Sequence, residues 1–105
     1  MEEVFNNIMQ KMLKENQGVN AGNMMRSPAI CFQSKVFAFY YNEQMVFKLD
    51  QKAPSTMHDY PGSQFLNPFK NKPPMKGWLV VPSQYQQQWY QLAEEAYENI
   101  KSTQK

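Results

Sequence analysis

Val4, Phe5, Ile8, Met9, Met12 and Leu13 recur at spacings of one and of three or four, the period of a helix with one apolar side. The pattern predicts a helix over residues 2–16. Glu2 and Glu3 fall in its first turn and Lys14 in its last, where the helix macrodipole favours each sign of charge, and Gly18 supplies a stop. Residues 19–23 are small and polar and read as a loop. Ala29–Phe32, Lys35–Tyr41 and Gln44–Asp50 are then dense in β-branched and aromatic residues, separated by the two-residue gaps Gln33-Ser34 and Asn42-Glu43. This predicts a three-stranded antiparallel meander over 29–50.

If both gaps are simple hairpins, Cys31 faces Val36, Ala29 faces Ala38 and Tyr40 faces Met45, with Phe47 and Leu49 on the same side. The other side carries Ile30, Phe32, Phe37, Phe39, Tyr41 and Val46. Both faces are apolar, whereas a sheet with one wet face alternates apolar and polar residues. Ala29, Cys31 and Ala38 are small enough to admit a helix closely, so the helices are expected on their face. The aromatic face is then left over, as an apolar patch of several hundred Å², a size that marks an interface on many proteins.

Residues 51–77 form a connection containing Pro54, Pro61, Pro68, Pro73 and Pro74, too long to lack structure in a small domain. Pro54 suits the first turn of a short helix through Asp59, ended by Tyr60-Pro61-Gly62. Phe65, Leu66 and Phe69 are expected to fold back onto the core. Residues 78–81 read as an added strand. Ser83 with Gln86 three positions on has the form of a capping box, opening a helix over 83–102. Its stripe of Tyr85, Trp89, Leu92, Ala93, Ala96 and Ile100 faces the core. The expected class is α+β: an antiparallel meander and an added strand packed against N- and C-terminal helices, in one domain spanning 1–105.

The chain has 105 residues, 42% of them apolar and 14% aromatic, enough for one core that buries roughly 60–65% of the extended-chain surface. A net charge of +2 is too mild to mark a nucleic-acid footprint by itself. Cys31 is the only cysteine, so no internal disulfide forms, which suits a reducing compartment. The acidic start and the absence of an apolar run of about 20 residues place the chain in the cytoplasm by expectation.

Gly22-Asn23-Met24-Met25-Arg26-Ser27-Pro28-Ala29-Ile30, Lys35-Val36-Phe37-Ala38-Phe39, Met45-Val46-Phe47-Lys48-Leu49 and Pro74-Met75-Lys76-Gly77-Trp78-Leu79-Val80-Val81-Pro82 resemble the TfoX/Sxy N-terminal domain family. The order of elements is also similar to the YjbR/MmcQ group. The resemblance runs from about residue 4 to residue 100 and implies a curved antiparallel sheet on helices. The family includes the front half of a bacterial competence regulator, whose separate C-terminal half has no counterpart here, and it brings no catalytic residues. Arg26 stands where such proteins commonly have glycine, and Gln33-Ser34 replaces their asparagine-glycine turn.

Candidate chemistry is sparse. Cys31 with His58 has the composition of a nucleophile and its base, but Cys31 alternates within a core strand and nothing identifies an oxyanion hole or an orienting carboxylate. His58-Asp59 is one imidazole and one carboxylate, where a metal site needs three or four ligands. The scattered glycines make no phosphate cradle. No cofactor is expected. An enzyme or small-ligand site invisible in the sequence would have to gather distant carboxylates such as Asp59, Glu43 or Asp50. Lys70, Lys72 and Lys76 lie near Phe65, Phe69 and Trp78 in a stretch without acidic residues, a composition compatible with single-stranded nucleic acid. The leading expectation is a non-catalytic protein-interaction or regulatory module that binds a protein partner or itself as a homodimer, with Arg26, Ile30, Phe32, Phe37, Phe39 and Tyr41 as the candidate interface.

Overall fold

Both two-residue gaps close hairpins. In the computed structural model, which describes residues 2–24, 26–67 and 75–103, Gln33 and Ser34 have φ of +49° and +74°, and Asn42 and Glu43 of +50° and +61°. Two successive positive φ values define the type I′ turn, whose twist matches that of the strands it joins. The elements in chain order are α1 (Glu2–Glu15), β1 (Val19–Met24), β2 (Ser27–Phe32), β3 (Lys35–Tyr41), β4 (Gln44–Lys48), α2 (Ala53–Asp59), β5 (Gln64–Leu66), β6 (Met75–Val81) and α3 (Trp89–Thr103). The strands form one antiparallel sheet in the order β1-β2-β3-β4-β6-β5. The α+β class and the meander follow the pattern of the sequence; the residues expected to be a loop do not. Val19–Met24 is a strand, pairing with β2 along its whole length from Val19 opposite Phe32 to Met24 opposite Ser27. As an edge strand it is held through its main chain on one side only, so it needs no apolar alternation.

The largest departure lies in the central hairpin. Cys31 faces Val36 and Tyr40 faces Met45 as expected, but Ala38 faces Ile30 and Phe39 faces Ala29. Phe37 therefore has no partner on β2. This is a β-bulge, in which one extra residue on β3 shifts the register by one and exchanges the faces of everything beyond it. Ile30, Phe32 and Phe37 accordingly pack with the helices, together with Ala38, Met45, Phe47, Leu79 and Val81. Ala29, Phe39 and Val46 lie on the opposite side with Leu66.

The proline-rich connection hides two elements. Pro54 sits in the first turn of α2, and Tyr60 and Gly62, the latter at φ +99°, end it. Beyond it β5 pairs with β6, which places Leu66 in the core and leaves Phe65 half-buried against the helix side. Phe69 lies outside the described residues. Two polar contacts lock the end of β4. The Leu49 amide donates to the Gly77 carbonyl at 2.9 Å, and Asn99 of α3 donates to Asp50 at 2.8 Å. A Cβ at Gly77 would lie 2.8 Å from the Asp50 carboxylate, which would have to shift from its place against Asn99 to admit it.

The predicted capping box does not form. Ser83–Gln88 winds as a 3-10 helix following Pro82 without a side-chain cap, and Tyr85 departs from helical geometry. The Tyr85 hydroxyl instead donates to the Pro61 carbonyl, and its ring meets Tyr60 edge-on at 5.1 Å. That tie to the end of α2 draws the chain into tighter turns before α3 proper begins at Trp89. Trp89, Leu92, Ala93, Ala96 and Ile100 then face the core as expected, joined by Tyr97, whose ring packs on Phe32 and Phe37 and whose hydroxyl donates to the Gln17 carbonyl.

The helix layer has α3 over β2, β3 and β4, with α1 beside it, its start against Tyr40 of β3 and its end toward β1. Tyr90 joins the two helices: its hydroxyl donates to Glu15 at 3.1 Å and Lys11 sits over its ring at 4.3 Å. Burial first, then the hydrogen bond to Glu15 and the nearby Glu94 and Glu15 charges, push the Tyr90 hydroxyl up to about 12 from its ordinary 10.0. The fold thus holds the neutral phenol. Its contribution is complete below the unfolded value near 10 and is lost as pH rises through about 12. Thermal unfolding followed across that window is expected to show falling stability, with a shallower fall in Tyr90→Phe. The turns give a second expectation. Left-handed backbone costs a non-glycine residue about 1–2 kcal/mol, offset in part by the entropy glycine loses on folding. Ser34→Gly and Glu43→Gly should each raise stability by about 0.5–1 kcal/mol in urea titrations.

Candidate interaction surface

On the face away from the helices, Phe39 is fully buried at the centre of a second, smaller apolar cluster with Ala29, Val46 and Leu66. Alternation places Phe39 and Tyr41 on this side of β3, Val46 and Lys48 on this side of β4, and Trp78 and Val80 on this side of β6. The Phe39 ring meets Trp78 edge-on at 5.7 Å and Tyr41 at 6.3 Å. Lys48, directly opposite Trp78 in the register, holds its ammonium over the indole at 5.8 Å. Met24, Val36, Tyr41, Trp78 and Val80 surround the cluster and are half-buried. The result is an apolar centre with an aromatic and aliphatic rim, edged by the Lys48 ammonium.

The bulge divides the predicted interface set. Phe39 and Tyr41 belong to this face, while Ile30, Phe32 and Phe37 are buried beneath the helices, so the six residues do not make one patch. Arg26 stands apart, exposed in the β1–β2 turn with φ +65°, a conformation that favours glycine. Of the predicted basic patch, Lys70 and Lys72 lie outside the described residues, and Lys76 falls in β6 with its side chain outside them. Trp78, Val36, Val80 and Met24 were not in the predicted set. The alternation of Trp78 and Val80 with Leu79 and Val81 was the available signal, and it becomes decisive only once the pairing of β4 with β6 is known.

Beside this face lies a depression of about 170 Å³ touched by Tyr41, Gln44, Gln64, Leu66, Asn67 and Val80. That is below the roughly 300 Å³ of small-ligand pockets. A larger hollow of about 440 Å³ is lined by polar residues including Asp50, Lys52 and Asn99, but the Asp50 carboxylate there is engaged by Asn99.

The residues considered for catalysis are separated by burial. Cys31 is buried, and burial pushes its thiol up, away from the reactive thiolate. The His58 side chain is 92% exposed, too open to be packed against a buried thiol, and comes within 3.8 Å of Asp59. Glu43 sits in the β3–β4 turn. Among the described residues no three of His, Cys, Asp and Glu converge as metal ligands, and no helix is long and apolar enough to cross a membrane. Comparison with family models, with curated proteins and with solved structures finds no match.

The position of Cys31 sets an expected outcome. A disulfide reagent should modify the native protein far more slowly than the urea-unfolded chain, with a single thiol released on unfolding; equal rates would place the thiol at the surface.

Proposed function

We propose that the chain is a non-catalytic protein-interaction or regulatory module of the TfoX N-terminal type, and that its contact surface is the sheet face built around Phe39. The observation that carries this reading is the half-buried rim of Met24, Val36, Tyr41, Trp78 and Val80 around a fully buried aromatic centre. Tryptophan and tyrosine are the side chains most often found at the energetic centre of protein interfaces, because each presents a large rigid area with a polar handle. Trp78 already rests on Phe39, so little side-chain freedom remains to be lost when a partner docks. The resemblance to TfoX N-terminal proteins adds the order of elements and the quoted motifs. It brings no catalytic set with it.

A second reading draws on the Lys48–Trp78 pair. An indole that stacks a base beside an ammonium that meets a phosphate is a unit of single-strand binding.

Affinity capture from native cells distinguishes the two. The wild-type chain should enrich a protein, and Trp78→Ala should weaken that binding by about 30-fold, the equivalent of about 2 kcal/mol at an interface centre. Val36→Lys should abolish it. Gln91→Lys, on the exposed side of α3, should retain it. Phe39 itself is unsuitable, since a charge at a fully buried site unfolds the chain. The same recovered set for wild type and Val36→Lys would overturn the proposal. Binding of a labelled oligonucleotide that weakens steeply with salt, in place of a protein, would establish the second reading.

A further inference from the structure

The charges of this chain are sorted by layer. Of its nine carboxylates, α1 and α3 carry three each. Asp59 ends α2, Asp50 is bound by Asn99 of α3, and Glu43 lies in the β3–β4 turn. No strand contains an acidic residue, whereas β3, β4 and β6 contain one lysine each. The acidic groups thus belong to the helix layer and the turns, and the sheet face turned away from the helices is left without a carboxylate of its own.

Lys48 is the cation that this sorting exposes. It is half-buried, with its ammonium over the Trp78 indole at 5.8 Å. Among the described residues the ion pair present is His58 with Asp59, so no carboxylate neutralises Lys48. A partly desolvated cation gains more from an incoming carboxylate than one standing in bulk water. The second feature is the depression of about 170 Å³ beside Val80, Tyr41 and Gln44. Too small for a cofactor, it has the scale of a single side chain. Gln44 is four residues from Lys48 along β4, and Val80 is two from Trp78 along β6, so the ammonium stands about 7–13 Å from the depression.

We infer that the Phe39 face receives an acidic amphipathic segment of another protein, one apolar side chain entering the depression and one carboxylate meeting Lys48. This rests on the function proposed above and names the chemistry of its partner. The spacing of about 10 Å corresponds to two turns of helix, or to three residues of extended chain. Between those points the segment lies over Trp78 and Val80 and buries the apolar rim. Charge complementarity decides the occupant. Two copies joined through this face bring no carboxylate to it from any strand, so a self-complex gains no charge pair there. A nucleic acid needs a row of cations for its phosphates, and Met24, Val36 and Val80 offer its bases no ring to stack on.

Selection of displayed random peptides of about 12 residues on the intact chain tests this, since that length spans both points in either conformation. The wild type should enrich peptides that pair an aromatic or leucine anchor with Asp or Glu about seven residues away, or about three if extended. Lys48→Glu should weaken the selected acidic peptides by about tenfold or more, and a fresh selection on it should yield the same anchors beside Lys or Arg. Lys48→Met, which keeps the stem over the indole, should weaken them by about threefold with unchanged thermal unfolding. Val36→Lys should bind none of them. Enrichment of neutral or basic peptides on the wild type, lost in Val36→Lys, would overturn the inference while leaving the Phe39 face as the contact surface. Peptides that Val36→Lys retains would overturn both. No enrichment, or acidic peptides indifferent to Lys48→Glu and Lys48→Met, would also overturn the inference.

Discussion

Between Ile30 and Cys31 the register of the central hairpin slips by one residue, and Phe37 is left without a partner on β2. The physical constraint is the two-residue period of a strand, under which a shift of one position moves each side chain to the other face. Without the bulge, the helices would rest on Ala29, Cys31 and Ala38, too small to fill the space beneath α1 and α3. With it, Ile30, Phe32 and Phe37 supply that volume, and Tyr97 closes over Phe32 and Phe37. The opposite face then receives Ala29 beside Phe39, leaving room for Trp78 and Tyr41 to lean on the ring. Both apolar clusters, and so the candidate surface, follow from one inserted residue.

The parts of this arrangement that show in the sequence are those governed by local rules. Helix α1 shows in its periodicity, α2 in the placement of Pro54, and the hairpins in the length of their gaps. The features that do not show depend on partners far along the chain. β1 has no apolar alternation because its pairing is all main chain, and β5 owes its three residues to β6. The bulge is silent because Phe37 and Phe39 are chemically alike, and nothing local says which faces inward. Ser83 and Gln86 satisfy a helix-start rule, yet the bond from Tyr85 to Pro61 outweighs it. Of the candidate surface, Phe39 and Tyr41 are legible, whereas Trp78, Val36, Val80 and Met24 require the strand order.

The sheet carries its two halves differently. On the helix side, a broad core is closed by helices from either end of the chain, clamped at Tyr90 and at the hydroxyl of Tyr97. On the other side, among the described residues, four buried residues are screened by five half-buried ones. Losing a rim side chain there removes area without opening the main core, so the surface can vary while the fold persists.

The turns bear on how the sheet is held. Gln33, Ser34 and Glu43 hold a left-handed backbone that such side chains disfavour in isolation. The corners are therefore closed at a local cost, which burial of the flanking aromatic side chains against the helices has to offset, so each hairpin depends on the core it frames.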